Sequence, residues 1–130
     1  MQISFKLPAA KVGRKYRYIP HSLNHGLHFA TRGRWTKEWK DLVWAMVLAN
    51  KKSFGPLPLN HPTVKILMHS CQKIDRDNAW SASKPIIDGL RFSGVLVNDR
   101  EEDFECDVKV VKADHIKDQG VEVIIEFEKQ

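Results

Sequence analysis

Two stretches near the end of the chain alternate apolar and polar residues one for one. In the first, Phe104, Cys106, Val108 and Val110 take turns with Glu105, Asp107 and Lys109; in the second, Val121, Val123, Ile125 and Phe127 fall on one side. A period of two is that of a β-strand with one covered face. A sheet built from such strands needs partners to cover it, and the chain supplies two helical patterns. Thr36 can cap a helix running to about Lys52, with Trp39, Leu42, Val43, Met46 and Val47 as its apolar face. Asp77 can cap a second helix that stops at Gly94. Pro85 lies inside that span and predicts a kink or a restart near Ser83.

"QISFKL" (2–7) and "TVKILMHSC" (63–71) read as further strands. Between the first strand and the first helix lies a basic stretch with Pro and Gly throughout, expected as a loop or irregular hairpin with "KYRYI" extended. "HIKDQG" (115–120) turns the chain into the last strand. The order β–loop–α–β–α–β–β predicts an α+β fold, a mixed β-sheet with two main helices packed on it, in a single domain spanning 1–130.

At 130 residues the chain is long enough to bury a core without staples. The longest apolar run, Leu42 to Ala49, falls far short of the roughly 20 residues that span a bilayer, so no membrane partner is expected. The first residues lack a secretory pattern, and Cys71 and Cys106 show no C-x-x-C spacing. No zinc site is expected, and a reducing cytoplasmic setting fits. Charge is distributed unevenly. Residues 1–60 carry 11 Lys/Arg against 2 Asp/Glu, and residues 61–130 carry 10 against 14. A basic half joined to an acidic half suits a protein that grips a polyanion with one part and holds cations with the other.

The acids cluster. Asp75 and Asp77 stand one residue apart, on one face if they lie at a strand end, and Lys84 follows on the helix. After the helix, "GVLVND" delivers Asp99. Carboxylates gathered in this way suit Mg²⁺, which prefers oxygen ligands and keeps waters for a substrate phosphate. Such a cation polarises phosphodiesters, and a lysine beside it offsets charge on the phosphate.

"DRDN" at 75–78, "KPIIDGL" at 84–90 and "SGVLVND" at 93–99 together resemble the signature of the RusA family of Holliday-junction resolvases. The likeness extends to an N-terminal "LP", a helix in the first half and a final "VVK" hairpin. Asn98 stands where the family often has another Asp, and the Asn78–Lys84 spacing is three residues longer than in the shorter version. The N-terminal "PAAKVGRKYRY" also differs from the Pro-Pro-Ser-Asn-like stretch usual there. The resemblance implies a RusA-like, homodimeric, Mg²⁺-dependent endonuclease (Mn²⁺ a possible substitute) that nicks four-way DNA junctions symmetrically and uses no nucleotide cofactor. Carried over by position, Asp75, Asp77 and Asp99 match its catalytic, metal-binding acids, and Lys84 its essential lysine.

Lys11, Arg14, Lys15 and Arg17, interleaved with Tyr16 and Tyr18, are candidates to contact phosphates and stack on unpaired bases. Arg32 and Arg34, with Lys37, form a second basic patch, and Lys73 and Arg76 flank the acids. Asp88 is expected to pair with Lys84 at i,i+4. His21, His25 and His28 have no neighbouring acid, so no transition-metal site is expected there. Two other functions fit the same residues: a branched-DNA-binding protein with weak or no catalysis, and a metal-dependent hydrolase of a small phosphate ester.

Overall fold

The computed structural model describes residues 1–22, 26–97 and 103–128. Four strands form the main sheet: β1 (Gln2–Leu7), β4 (Thr63–Ser70), β5 (Glu105–Lys112) and β6 (Gly120–Glu126). Their order is β1-β6-β4-β5. β6 runs antiparallel to both β1 and β4, whereas β4 and β5 are parallel. The sheet is therefore mixed, as expected. β2 (Ala10–Val12) and β3 (Lys15–Arg17) make a separate hairpin closed by Gly13 and Arg14.

Alternation decides which face is buried. Ile3, Phe5 and Leu7 of β1, Val64, Ile66 and Met68 of β4, and Val121, Val123 and Ile125 of β6 all point to the helices. Two long helices cover that face, α1 (Phe29–Ala49) on the β1 side and α3 (Arg76–Phe92) on the β5 side, with a short α2 (Lys51–Phe54) after α1. Trp39, Val43 and Val47 bring α1 onto the core, and Ala79, Ala82, Ile86 and Leu90 bring α3. The helices approach closely at Gly89, where an added Cβ would stand 2.8 Å from Val43 Cβ.

Three local expectations change. α1 begins at Phe29, a full two turns before Thr36, because His28 Nδ1 accepts from the Ala30 N–H and caps it. α3 is capped at Asp75, in extended conformation, so Asp77 lies inside the first turn. And α3 runs unbroken through Pro85, with no restart near Ser83. A helix-interior proline costs about 3 kcal/mol. Fully burying Ile86 and Leu90 returns about 1.5–3 kcal/mol each, so packing holds the helix through the defect.

The C-terminus of α3 is closed by a Schellman arrangement. Val95 N–H donates to Leu90 O and Gly94 N–H to Arg91 O, at 3.0 Å each, with Gly94 at φ +87°. The chain then meets the start of β4, where Leu59 N–H donates to Val95 O. The β4–α3–β5 unit is a crossover between parallel strands, and its two ends lie at opposite ends of the sheet. No helix of the described residues is long and apolar enough to cross a membrane.

Candidate functional site

β4 ends at Ser70, and Cys71–Ile74 lead directly to Asp75. The acids are therefore not two positions on one strand face, as the spacing suggested. Asp75 is the N-cap and Asp77 the second helical residue, both exposed. What they share is the end of a helix, where unpaired N–H groups and the helix dipole favour negative charge. The Asp75 side chain makes no capping hydrogen bond, and among the described residues neither acid takes part in an ion pair. Two oxygen-donor groups thus stand at one helix end, neither in an ion pair among the described residues. Oxygen donors of this kind fit Mg²⁺ chemically.

The basic hairpin comes to the same place. A cavity of about 480 Å³ is lined by Tyr16, Arg17 and Tyr18 on one side and by Lys73, Asp75 and Asn78 on the other. Arg17 is half-buried, and its Nε donates to Ile19 O at 3.0 Å. Loss of solvent lowers its pKa from the ordinary 12.5. An arginine still keeps its charge at neutral pH, and a cation short of water favours an anion beside it. Lys11 lies with Nζ 5.3 Å from the Tyr16 ring centroid, and Arg14 and Lys15 are exposed at the hairpin turn. Tyr16 is 61% exposed, an aromatic face open for stacking.

Lys84 follows Asp77 by seven residues, two helical turns or roughly 10 Å, on the same side of α3. Its ammonium is exposed, and the expected pair with Asp88 is not formed among the described residues. Arg76 opens α3 and is exposed. The second basic patch is partly committed within the chain. Arg32 turns inward, donating from Nη2 to Leu27 O at 3.4 Å, and lines a small cavity with Trp35 and Trp39 of α1 and Ser81 and Pro85 of α3. Lys37 is committed to Asp41 at 3.0 Å. Arg34 alone remains exposed and uncommitted to an ion pair among the described residues. His21 packs against the Trp35 ring and His28 is the α1 cap; His25 lies outside the described residues.

Asp99 and Asn98 also lie outside the described residues. The chain on either side of them is placed. Val95 meets Leu59, and Glu105 N–H donates to Pro62 O while pairing with Thr63. Both flanks thus stand at the start of β4, whereas Asp75 follows its end. Seven strand steps separate those ends, roughly 23 Å. Among the described residues no three His, Cys, Asp or Glu side chains come together as a metal site.

Two polar groups of this region carried no sequence signal. Gln119, just before β6, accepts from Cys71 N–H at 3.0 Å and holds the β4–α3 connection in place. Gln72 joins it on the wall of the same cavity. Asn78, by contrast, was visible within "DRDN". Set against known proteins, the chain matches no family model and no curated sequence.

Proposed function

We propose that the chain is a Mg²⁺-dependent endonuclease of the RusA type that resolves four-way DNA junctions by paired nicks. The observation that carries this reading is the cavity in which Asp75, the N-cap of α3, faces a basic, tyrosine-bearing hairpin, with Asp77 following in the first turn of the same helix. Nucleic acid brings phosphates for Arg17, Lys73, Lys15 and Arg14, and unpaired bases for Tyr16 and Tyr18. A small phosphate ester would need no such hairpin.

Asp75 and Asp77 are the residues that hold the metal, with Asp99 as the third acid. When bound, Mg²⁺ supplies Lewis-acid polarisation of the phosphodiester and lowers the pKa of water. Lys84 contributes positive charge where the phosphate gains negative charge. Arg17 and Lys73 fix the strand beside the acids, and the tyrosines hold it where pairing is interrupted.

The crossover topology adds a condition. The segment carrying Asp99 is tied at both flanks to the end of the sheet opposite Asp75 and Asp77. A second, antiparallel copy supplies Asp99 where one chain does not reach. Twofold symmetry then gives two identical sites on a junction that itself has twofold symmetry.

The test is trans-complementation. Asp77→Asn and Asp99→Asn proteins are each inactive on a labelled four-way junction with Mg²⁺. Mixed, they form heterodimers with one intact composite site and recover single nicks. Recovery of nothing, while wild type cuts, would overturn the shared site. Tight junction binding by wild type with no cleavage in Mg²⁺ or Mn²⁺ would leave a branched-DNA-binding protein.

A further inference from the structure

β5 is an edge strand of eight residues without a proline, and its outward side is open. Long open edges are templates for another strand. Glu105, Asp107, Lys109, Val111 and Lys112 are exposed along it. We infer that β5 pairs antiparallel with β5 of a second copy, about a twofold axis at Val108. This names the partner surface of the site proposed above and rests on that reading.

Charge selects the register. With the axis at Val108, Asp107 of each copy stands opposite Lys109 of the other, twice over. Moving the axis to residue 107 sets Asp107 against its own copy; moving it to 109 does the same with Lys109. Like charges directly opposite destabilise a strand pair, and opposite charges favour it. On the helix-facing side of the strand, Val108 then meets Val108, and Cys106 meets Val110. These residues already alternate inward in the single chain.

α3 carries a second, independent sign. Ser81, Pro85 and Gly89 are the side of α3 that meets α1. Trp80 and Ile87, two turns apart, lie on the flank turned away from the Ser81–Pro85–Gly89 side, and α3 packs against β5. Trp80 is 37% exposed, and Ile87 is only partly buried. Antiparallel β5 strands place the two α3 flanks side by side with opposite directions, so that Trp80 of one copy can pack on Ile87 of the other. The same arrangement brings the Asp75 end of one α3 beside the Val97 end of the other. A cavity of about 400 Å³ lies at the Asp75 end, lined by Gln72, Lys73, Ile74, Val110 and Lys112.

The experiment is sedimentation equilibrium on the full chain without DNA or metal. Wild type is expected as a dimer. Asp107→Lys and Lys109→Asp each raise the dimer dissociation constant tenfold or more, because each variant sets like charges face to face. Mixed one to one, they form a heterodimer at near wild-type affinity, since every cross-strand pair is again opposite in charge. The intrachain contact between Lys109 and Asp107, 3.7 Å, cannot produce that recovery, because it stays broken in both variants. A monomeric wild type, or single variants that dimerise as wild type does, would overturn the surface. If the heterodimer forms as described but wild type cuts no junction, the interface stands and the nuclease reading falls. If wild type cuts and the charge variants dimerise and cut normally, the reverse holds.

Discussion

The two ends of α3 are finished in opposite ways. At its C-terminus the last turn is closed by backbone bonds through Gly94 and Val95, and Ser93 Oγ donates to Leu90 O. Val95 and Leu96 are buried there. At its N-terminus the cap residue Asp75 makes no side-chain capping bond and lines an open cavity, and a second acid, Asp77, follows in the first turn. One end uses its polar groups within the fold; the other leaves its carboxylates out of any ion pair among the described residues. Cysteine follows the same division, with Cys71 exposed at the open end and Cys106 half-buried at the closed end.

The strongest way to break this contrast is to remove charge at the open end. Asp77→Asn is expected to lower junction cleavage by at least ~100-fold, since even outer-shell partners of metal ligands cost about 10–100-fold. Its unfolding free energy should fall by no more than about 1 kcal/mol, the usual worth of an exposed acid in the first turn of a helix. Chemical denaturation beside a cleavage assay checks both halves. A large stability loss would mean that the acid belongs to the fold.

Gly89→Ala, toward the closed end, should do the converse. The new Cβ meets Val43 at 2.8 Å and forces the two helices apart, for about 1–3 kcal/mol of lost stability. Exposed residues of the acidic end stay as they are, so junction binding at a temperature where the variant remains folded should change little. Loss of binding without loss of stability would tie Gly89 to the site.

The smallest effect separates the two thiols. Burial pushes the Cys106 thiol up to about 12 from an ordinary 9, with the Asp107 charge adding to the shift. The folded chain therefore holds that proton where the unfolded chain releases it. The stability this provides is complete below pH 9 and is lost as pH rises through the window to about 12. Cys106→Val should flatten the fall of Tm with pH across that window. In thiol labelling at pH 8, Cys71 should react quickly and Cys106 slowly. Equal labelling rates would show that β5 opens readily.

Much of the fold was legible because it follows from short-range periodicity. β1, β4, β5 and β6, and the existence of both long helices, come from period-2 and helical spacing of apolar residues. Helix starts were not legible. His28, not a residue type that announces a helix start, caps α1 through its Nδ1, and Thr36, a good local cap, is overridden by the burial of Trp35 and Trp39 on either side of it. Pro85 signalled a break that packing overrode. In the candidate site, the acids and the hairpin cations were all visible as residue types. That Arg17 joins Asp75 in one cavity while Arg32 turns inward was not, because nothing local distinguishes two arginines in the same basic stretch.

What the sequence by itself determined is the set of chemical groups and the strand and helix periods that carry them. A side chain's identity and its spacing to near neighbours are local quantities. Tertiary structure alone decided which groups meet: the parallel pairing of β4 and β5 sends the chain back across the sheet, so residues joined by one helix arrive at opposite ends of it. The direction of that crossover depends on which strands pair, a long-range choice made by burial of the whole core, and no spacing within "DRDN" to "SGVLVND" encodes it.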